Sequence, residues 1–245
     1  MNRKWIVLLM LVFFGFSTQI GFAALSEVSC KTITSPTTLY FKPGGYATFQ
    51  AGTVCFRGNS KYVHSGALSN ATTLYFKPGG YTTFMGGKQI VFGEDGHVDA
   101  GVLQSNTTLY FKPGGYTTFM AGRGVQFTRD GFVQQGVLQS HTTLYFKPGG
   151  YTTFMAGRPV QFGADGFVVQ GSLQNHTTLY FKPGGYTTFM GGQSVSFRPV
   201  NANQGGGFVV SGTLLNNTTL YYGPGKYRTY QAGTRVSFSP DGWVQ

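Results

Sequence analysis

Acid groups are scarce in this chain. Asp and Glu number 7 in 245 residues, against 18 Lys and Arg, for a formal charge of +11. So few carboxylates leave little material for a catalytic acid–base pair or an oxygen-ligand metal site. Asp95, Asp130, Asp165 and Asp241 each precede a Gly, where an Asp side chain bonds nearby backbone amides and shapes a turn. Calcium-binding glycine repeats would need an Asp in each Gly-rich turn at nonapeptide spacing, and that spacing is missing. Histidine is rarer still, with 4 residues. Only His141 and His176 stand at equivalent places, and two ligands without Cys or carboxylate support do not make a metal site. No Ser-His-Asp, Cys-His or phosphate-loop pattern is present. The chain therefore reads as non-catalytic, without cofactor or metal, and an enzyme of another type is a remote alternative.

Cysteine is limited to Cys30 and Cys55. Two Cys in an exported chain most simply form one disulfide, with a free thiol pair as the alternative. Long apolar runs are also missing, save one. After the basic start Asn2-Arg3-Lys4, twelve apolar residues run from Trp5 to Phe16, and small residues follow to Ala24. This order is that of a secretory signal peptide, residues 1–23. The run is short for a membrane span, which needs about 20 residues. Localisation is then secreted, periplasmic or cell-surface, with no span in the mature chain. Export also argues against nucleic acid as the partner of the basic charge, and for acidic glycans, envelope polymers or an anionic surface.

What the chain has in abundance is Gly, 38 residues, and aromatics, 16%. That is too aromatic for disorder and too rich in Gly for helices. One phrase, "TTLYFKPGGYTTFM", explains much of it. After a short N-terminal cap segment, residues 24–36, repeats start at Thr37, Thr72, Thr107, Thr142, Thr177 and Thr218 and run to residue 245. The spacing is 35 four times and then 41, because residues near Val200 to Gly206 insert at one turn. A fixed period of this size signals a solenoid, propeller or array.

Each repeat divides into two halves of apolar-x-Phe, three residues, then Gly, as at Leu109–Gly115 and Val125–Gly131. This pattern predicts two β-hairpins per repeat, each closed by a three-residue loop with Gly in the left-handed region. In that register Phe111 faces Thr117 and Leu109 faces Phe119. Alternation along a strand then puts Leu109, Phe111, Thr117 and Phe119 on one, buried face. Tyr110, Lys112, Tyr116 and Thr118 share the other, solvent face. Val125, Phe127 and Val133 join the core. The fold class is all-β, an open, elongated array with about two dozen strands in one continuous sheet, some 100 Å long at about 4.8 Å per strand. A six-bladed propeller is the alternative. Met85, Met120, Met155 and Met190 give way to Gln50 and Gln231 in the end repeats, a polar capping that favours the open form.

The half-repeat "VQFTRDGFVQQGVL", with Gly131 at its turn and Gly136 five residues on, resembles the membrane-occupation-and-recognition-nexus (MORN) type of hairpin repeat and its bacterial relatives. The Lys-Pro-Gly-Gly half has no counterpart there. The resemblance implies an extended antiparallel sheet used for binding or scaffolding, without catalysis.

The candidate ligand-binding residues are the Tyr and Lys of the hairpin faces. They are Tyr40, Lys42 and Tyr46; Tyr75, Lys77 and Tyr81; Tyr110, Lys112 and Tyr116; Tyr145, Lys147 and Tyr151; Tyr180, Lys182 and Tyr186; and Tyr221, Lys226 and Tyr227. Tyr rings stack on sugars, Lys meets carboxylate or phosphate, and weak sites in a row gain avidity. The plainer reading is that the Tyr pairs only support the sheet and Lys only guards its edges. On the first reading the chain binds an anionic polysaccharide or envelope polymer, through exposed lysines whose removal leaves folding unchanged. On the second it is a structural or self-assembling subunit. Recurrent Thr also raises ice binding, a remote alternative, since each strand offers only one outward Thr. Asn70, Asn106, Asn175 and Asn217 match the glycosylation acceptor pattern.

Overall fold

The computed structural model describes residues 28–245, except Asn59, Pro78, Pro113 and residues 201–205. The expected signal peptide, residues 1–23, and the tip of the insertion lie outside the described residues. All regular structure described is β, in 24 strands, and a strand begins at each of Thr37, Thr72, Thr107, Thr142, Thr177 and Thr218. The third repeat is representative. Its strands are Thr107–Lys112, Gly115–Phe119, Gly124–Phe127 and Val133–Val137.

The two halves of a repeat go to different layers. The second-half strands of all repeats, with the leading strand Val28–Ile33, build one open antiparallel sheet of 12 strands in which each repeat pairs with the next. The first halves stay out of that sheet and form six separate two-stranded hairpins. The expected array of hairpins is therefore present, and the ring is not. The single two-dozen-strand sheet is not present either. Twelve strands at about 4.8 Å give a sheet of roughly 50 Å, half the expected length. Two layers win because Leu109 and Phe119 line one side of the first hairpin and need a surface to cover. They find it on the sheet of their own repeat, where Phe119 also makes a bridge to Leu138.

The two halves also turn differently. In the second half, Thr128 accepts from Gly131 N–H at 2.8 Å and Phe132 O accepts from Thr128 N–H at 2.7 Å. Gly131 has φ +74°. This is the expected three-residue loop with a left-handed Gly. In the first half, Lys112 pairs with Gly115, and a bulge follows between Tyr110 and Lys112; Lys147 pairs with Gly150 likewise in the fourth repeat, which leaves a loop of only Pro148 and Gly149. The pairs are Tyr110 with Tyr116, Leu109 with Thr117 and Thr107 with Phe119. The expected register of Phe111 with Thr117 and Leu109 with Phe119 is off by two residues. A slip of one would exchange the faces, and a slip of two does not. Leu109, Thr117 and Phe119 are accordingly buried, and Phe111 packs partly buried against the core.

The core lies between the layers and runs unbroken through all the repeats. Phe49, Phe84, Phe119, Phe154 and Phe189 are among its largest fully buried side chains. Each drops onto a Gly of the sheet. A methyl at Gly171 would lie 2.5 Å from Phe154 Cδ1, and Gly66, Gly101, Gly136 and Gly212 meet their own Phe in the same way. The second Gly of the half-repeat is thus the floor of a ring pocket. On the outer side of the sheet an in-register row runs Gln126, Gln135, Gln161, Gln170 and then Ser196, Ser211, Ser237. Gln161 Nε2 donates to Gln135 Oε1 at 3.0 Å within it.

Cys30 and Cys55 face each other across the first strand pair and are disulfide-bonded. The leading strand is exposed at all positions but the last, so little burial holds it in place. Replacing both Cys by Ser should therefore destabilise the protein by about 3 kcal/mol on a loop-closure argument and release this strand first. Hydrogen exchange would show fast amides in Val28–Ile33 with the neighbouring sheet unchanged, and unchanged protection of that strand would show that its backbone ladder suffices. For the ring pocket, Gly171→Ala should cost about 1–3 kcal/mol in denaturant unfolding. Phe154→Leu in the same chain should recover part of the loss, since the two residues touch.

Candidate binding face

The outer hairpins repeat one surface six times. Tyr110 and Tyr116 pair across the strands with ring centroids 5.7 Å apart, edge to face. The other five pairs lie at 5.6–6.3 Å. These Tyr are 48–67% exposed, among the largest apolar groups left in water. Beside each Tyr pair sits a Thr pair. Thr108 and Thr118 share a hydrogen bond of 2.8 Å between their hydroxyls, and the same bond recurs at 2.8–2.9 Å in every hairpin. The recurrent Thr were legible in the sequence. Their pairing was not, because the two-residue error in register set Thr118 opposite Tyr110.

The lysines are not where the sequence reading puts them. Lys112 is half-buried, and its ammonium lies over two rings of the following repeat, Tyr145 at 5.8 Å and Phe167 at 4.6 Å. Lys77 and Lys147 do the same with Tyr110 and Phe132, and with Tyr180 and Phe208. Lys42 and Lys182 lie over Tyr75 and Tyr221. The stems are as constrained as the heads. A Cβ on Gly131 would stand 2.5 Å from Lys77 Cβ, and Gly96, Gly166, Gly207 and Gly242 each hold the Lys of the preceding repeat likewise. The turn Gly thus serves both its left-handed backbone and the passage of a neighbour's side chain. Each Lys is a strut between repeats, and its removal will not leave folding untouched.

The first repeat confirms the logic by exception. No repeat precedes it, and Lys61 stands before Tyr62 where Gly131 stands before Phe132. Lys61 itself supplies the ammonium, 5.9 Å from Tyr40 and 5.8 Å from Tyr62. The sixth repeat drops the groups that would engage a follower. Tyr222, Gly223, Arg228 and Tyr230 stand where the fifth has Phe181, Lys182, Thr187 and Phe189. Its Lys226 pairs with Gly223 and is exposed, so that tip stays basic without the strut.

Cation–π contact fixes an ammonium without neutralising it. Among the described residues the one ion pair is His97 with Asp95, at 2.9 Å. The column of lysines therefore keeps its charge while its positions are set by the fold. The remaining polar side chains have local duties. Asp95 and Asp165 accept the backbone N–H of His97 and Phe167, the expected turn role, and the Thr128 and Ser239 hydroxyls do this in other tips. His141 and His176 accept Ala156 N–H and Gly191 N–H through Nδ1. Asn106 and Asn217 do the same through Oδ1, so these His are loop ties. No group of three or more His, Cys, Asp and Glu that could hold a metal occurs among the described residues. Nor do they contain any helix long and apolar enough to cross a membrane.

A small titrating cluster lies where the first two repeats meet. Arg57 donates to Glu94 O at 2.7 Å. His64 Nδ1 meets Phe92 O at 3.1 Å. Burial holds the His64 imidazole below its ordinary value, with the Arg57 charge adding to the effect and the Phe92 carbonyl opposing it. Burial pushes the Asp99 carboxyl up, helped by Asp95 and opposed by Arg57. A depressed His contributes stability that is present above its unfolded pKa, about 6.5. That contribution is lost as pH falls below this. The melting temperature should drop between pH 7.5 and 5.5, and drop less in His64→Gln. Equal drops would assign the loss to other groups. No family model matches this chain, and no curated protein or solved structure matches it.

Proposed function

We propose that this chain is an exported, non-catalytic binding protein that lays its row of outer hairpins along an extended anionic polymer, an acidic glycan or envelope polymer. One observation supports this above the others. Every repeat from the first to the fifth holds a charged, un-neutralised ammonium at the same place beside exposed Tyr rings. Structural needs explain the Lys stem, which packs on a Gly. They do not explain twelve Tyr left 48–67% exposed, where Thr or Val would serve the strand as well. Exposed rings offer faces to sugar C–H groups, the Thr hydroxyls offer hydrogen bonds, and the ammonium offers charge.

A second reading, self-assembly through the aromatic faces, is favoured by the same exposed Tyr and is separable by experiment. Lys77, Lys112, Lys147 and Lys182 should be changed to Gln together. Gln keeps the carbons that lie on the glycines and removes the cation. Affinity for immobilised acidic polysaccharide should fall by about tenfold or more, and its salt dependence should flatten. The melting temperature should fall as well, since each cation–π contact contributes about 0.5–1 kcal/mol. Unchanged binding in this variant would reject the proposal. Growth in particle size with concentration, at equal glycan binding, would favour assembly instead.

A further inference from the structure

Resting on that reading, the geometry points to a more specific ligand: we propose a glycan in which acidic and uncharged sugars alternate, so that one disaccharide matches one repeat. The period comes from the sheet. Each repeat contributes two strands to it, so successive repeats advance by about 9–10 Å. The outer hairpins are locked to that advance. Phe76 stacks on Phe127 of the next repeat at 4.6 Å, and the four equivalent stacks lie at 4.4–4.5 Å. An extended pair of equatorially linked hexose rings covers about the same distance as one repeat.

Within that distance the face is not uniform. Each period offers one ammonium, such as that of Lys112 over Tyr145, and one uncharged patch, the Tyr110–Tyr116 rings beside the Thr108–Thr118 hydroxyls. A carboxylate facing the ammonium is compensated. A second carboxylate in the same period would face aromatic rings and paired hydroxyls with no cation opposite it. Desolvating an unpaired charge is costly, and such a penalty discriminates between ligands as effectively as a favourable contact. A polymer charged at every sugar meets this penalty at each repeat, and an alternating one never does.

The test uses the full mature protein and calorimetry with two oligosaccharide series of matched lengths. One alternates glucuronate with N-acetylglucosamine. The other is β-1,4-linked oligoglucuronate, charged at every ring. For the alternating series, affinity should rise by a constant factor for each disaccharide added, most of the gain coming with the glucuronate and little with the N-acetylglucosamine, up to five or six disaccharides. At equal length it should exceed the fully charged series by about tenfold or more. A variant lacking residues 107–141, one whole repeat, should reach its plateau one disaccharide earlier, with the same factor per step. If the fully charged series binds as well, or if affinity climbs by equal steps for acidic and uncharged sugars, the alternating ligand is wrong and the broader binding reading stands. If neither series binds, both fall.

Discussion

The whole array depends on one contact, the stacking of a Phe from each of the first five outer hairpins on a Phe of the following repeat's sheet strands. Phe127 shows it best. Phe76 lies parallel to it at 4.6 Å and Phe84 meets it edge-on at 6.5 Å. Both come from the preceding repeat, so no single repeat can close its own core. The contact spans 51 residues of sequence and fixes the outer layer to the inner one. Once it forms, the backbone ladder of the sheet, the Lys struts and the regular row of Tyr pairs have no freedom left to vary. Aromatic pairs of this kind contribute about 0.5–1.5 kcal/mol beyond their buried area, and the contact is made five times along the chain.

A layered array of this kind resolves two demands that conflict in a simple sheet. Core residues must be buried on one side, and a long open sheet exposes its other side to water. Here one hairpin of each repeat covers the inner face of the sheet and turns its own far side outward. From the third repeat onward the outer side of the sheet carries a row of uncharged Gln and Ser in register. The outward side of the hairpins, freed from packing, holds the aromatic and hydroxyl pairs. Division of labour between the halves of a repeat is what makes an exposed aromatic row compatible with a continuous core.

Much of the fold was legible in the sequence because it is written with period two and period 35. Repeat boundaries, hairpins, the buried face of Leu109 and Phe119, and the Cys30–Cys55 bond all follow from local rules. The layer division was not legible. Both halves read as strands, and nothing local says that the first half leaves the sheet. The two-residue loop of the first half, Pro148-Gly149 in the fourth repeat, defeated the register, because a bulge such as that beside Tyr110 imitates the spacing of a longer turn. At the site, the Tyr were placed correctly and the Lys were not. Lys112 sits one residue past the bulge, and its resting place is a Gly 54 residues away, Gly166, whose left-handed turn is by itself a sufficient reason for Gly. A residue with two reasons to be Gly shows only one of them in a sequence.

Lys61 has a consequence for how such a chain can change. At its position a small residue means that a neighbour's side chain passes overhead, and a large one means that none does. The second, third, fourth and fifth repeats are therefore interchangeable parts, since each receives a Lys from behind and sends one ahead. The first is not. Copied into the middle, it would set its own Lys61 against the Lys arriving from the repeat before it, two stems and two like charges in one slot. Lengthening by duplication is open to the interior of this array and closed to its beginning. The chain can vary its reach while its starting edge remains the same.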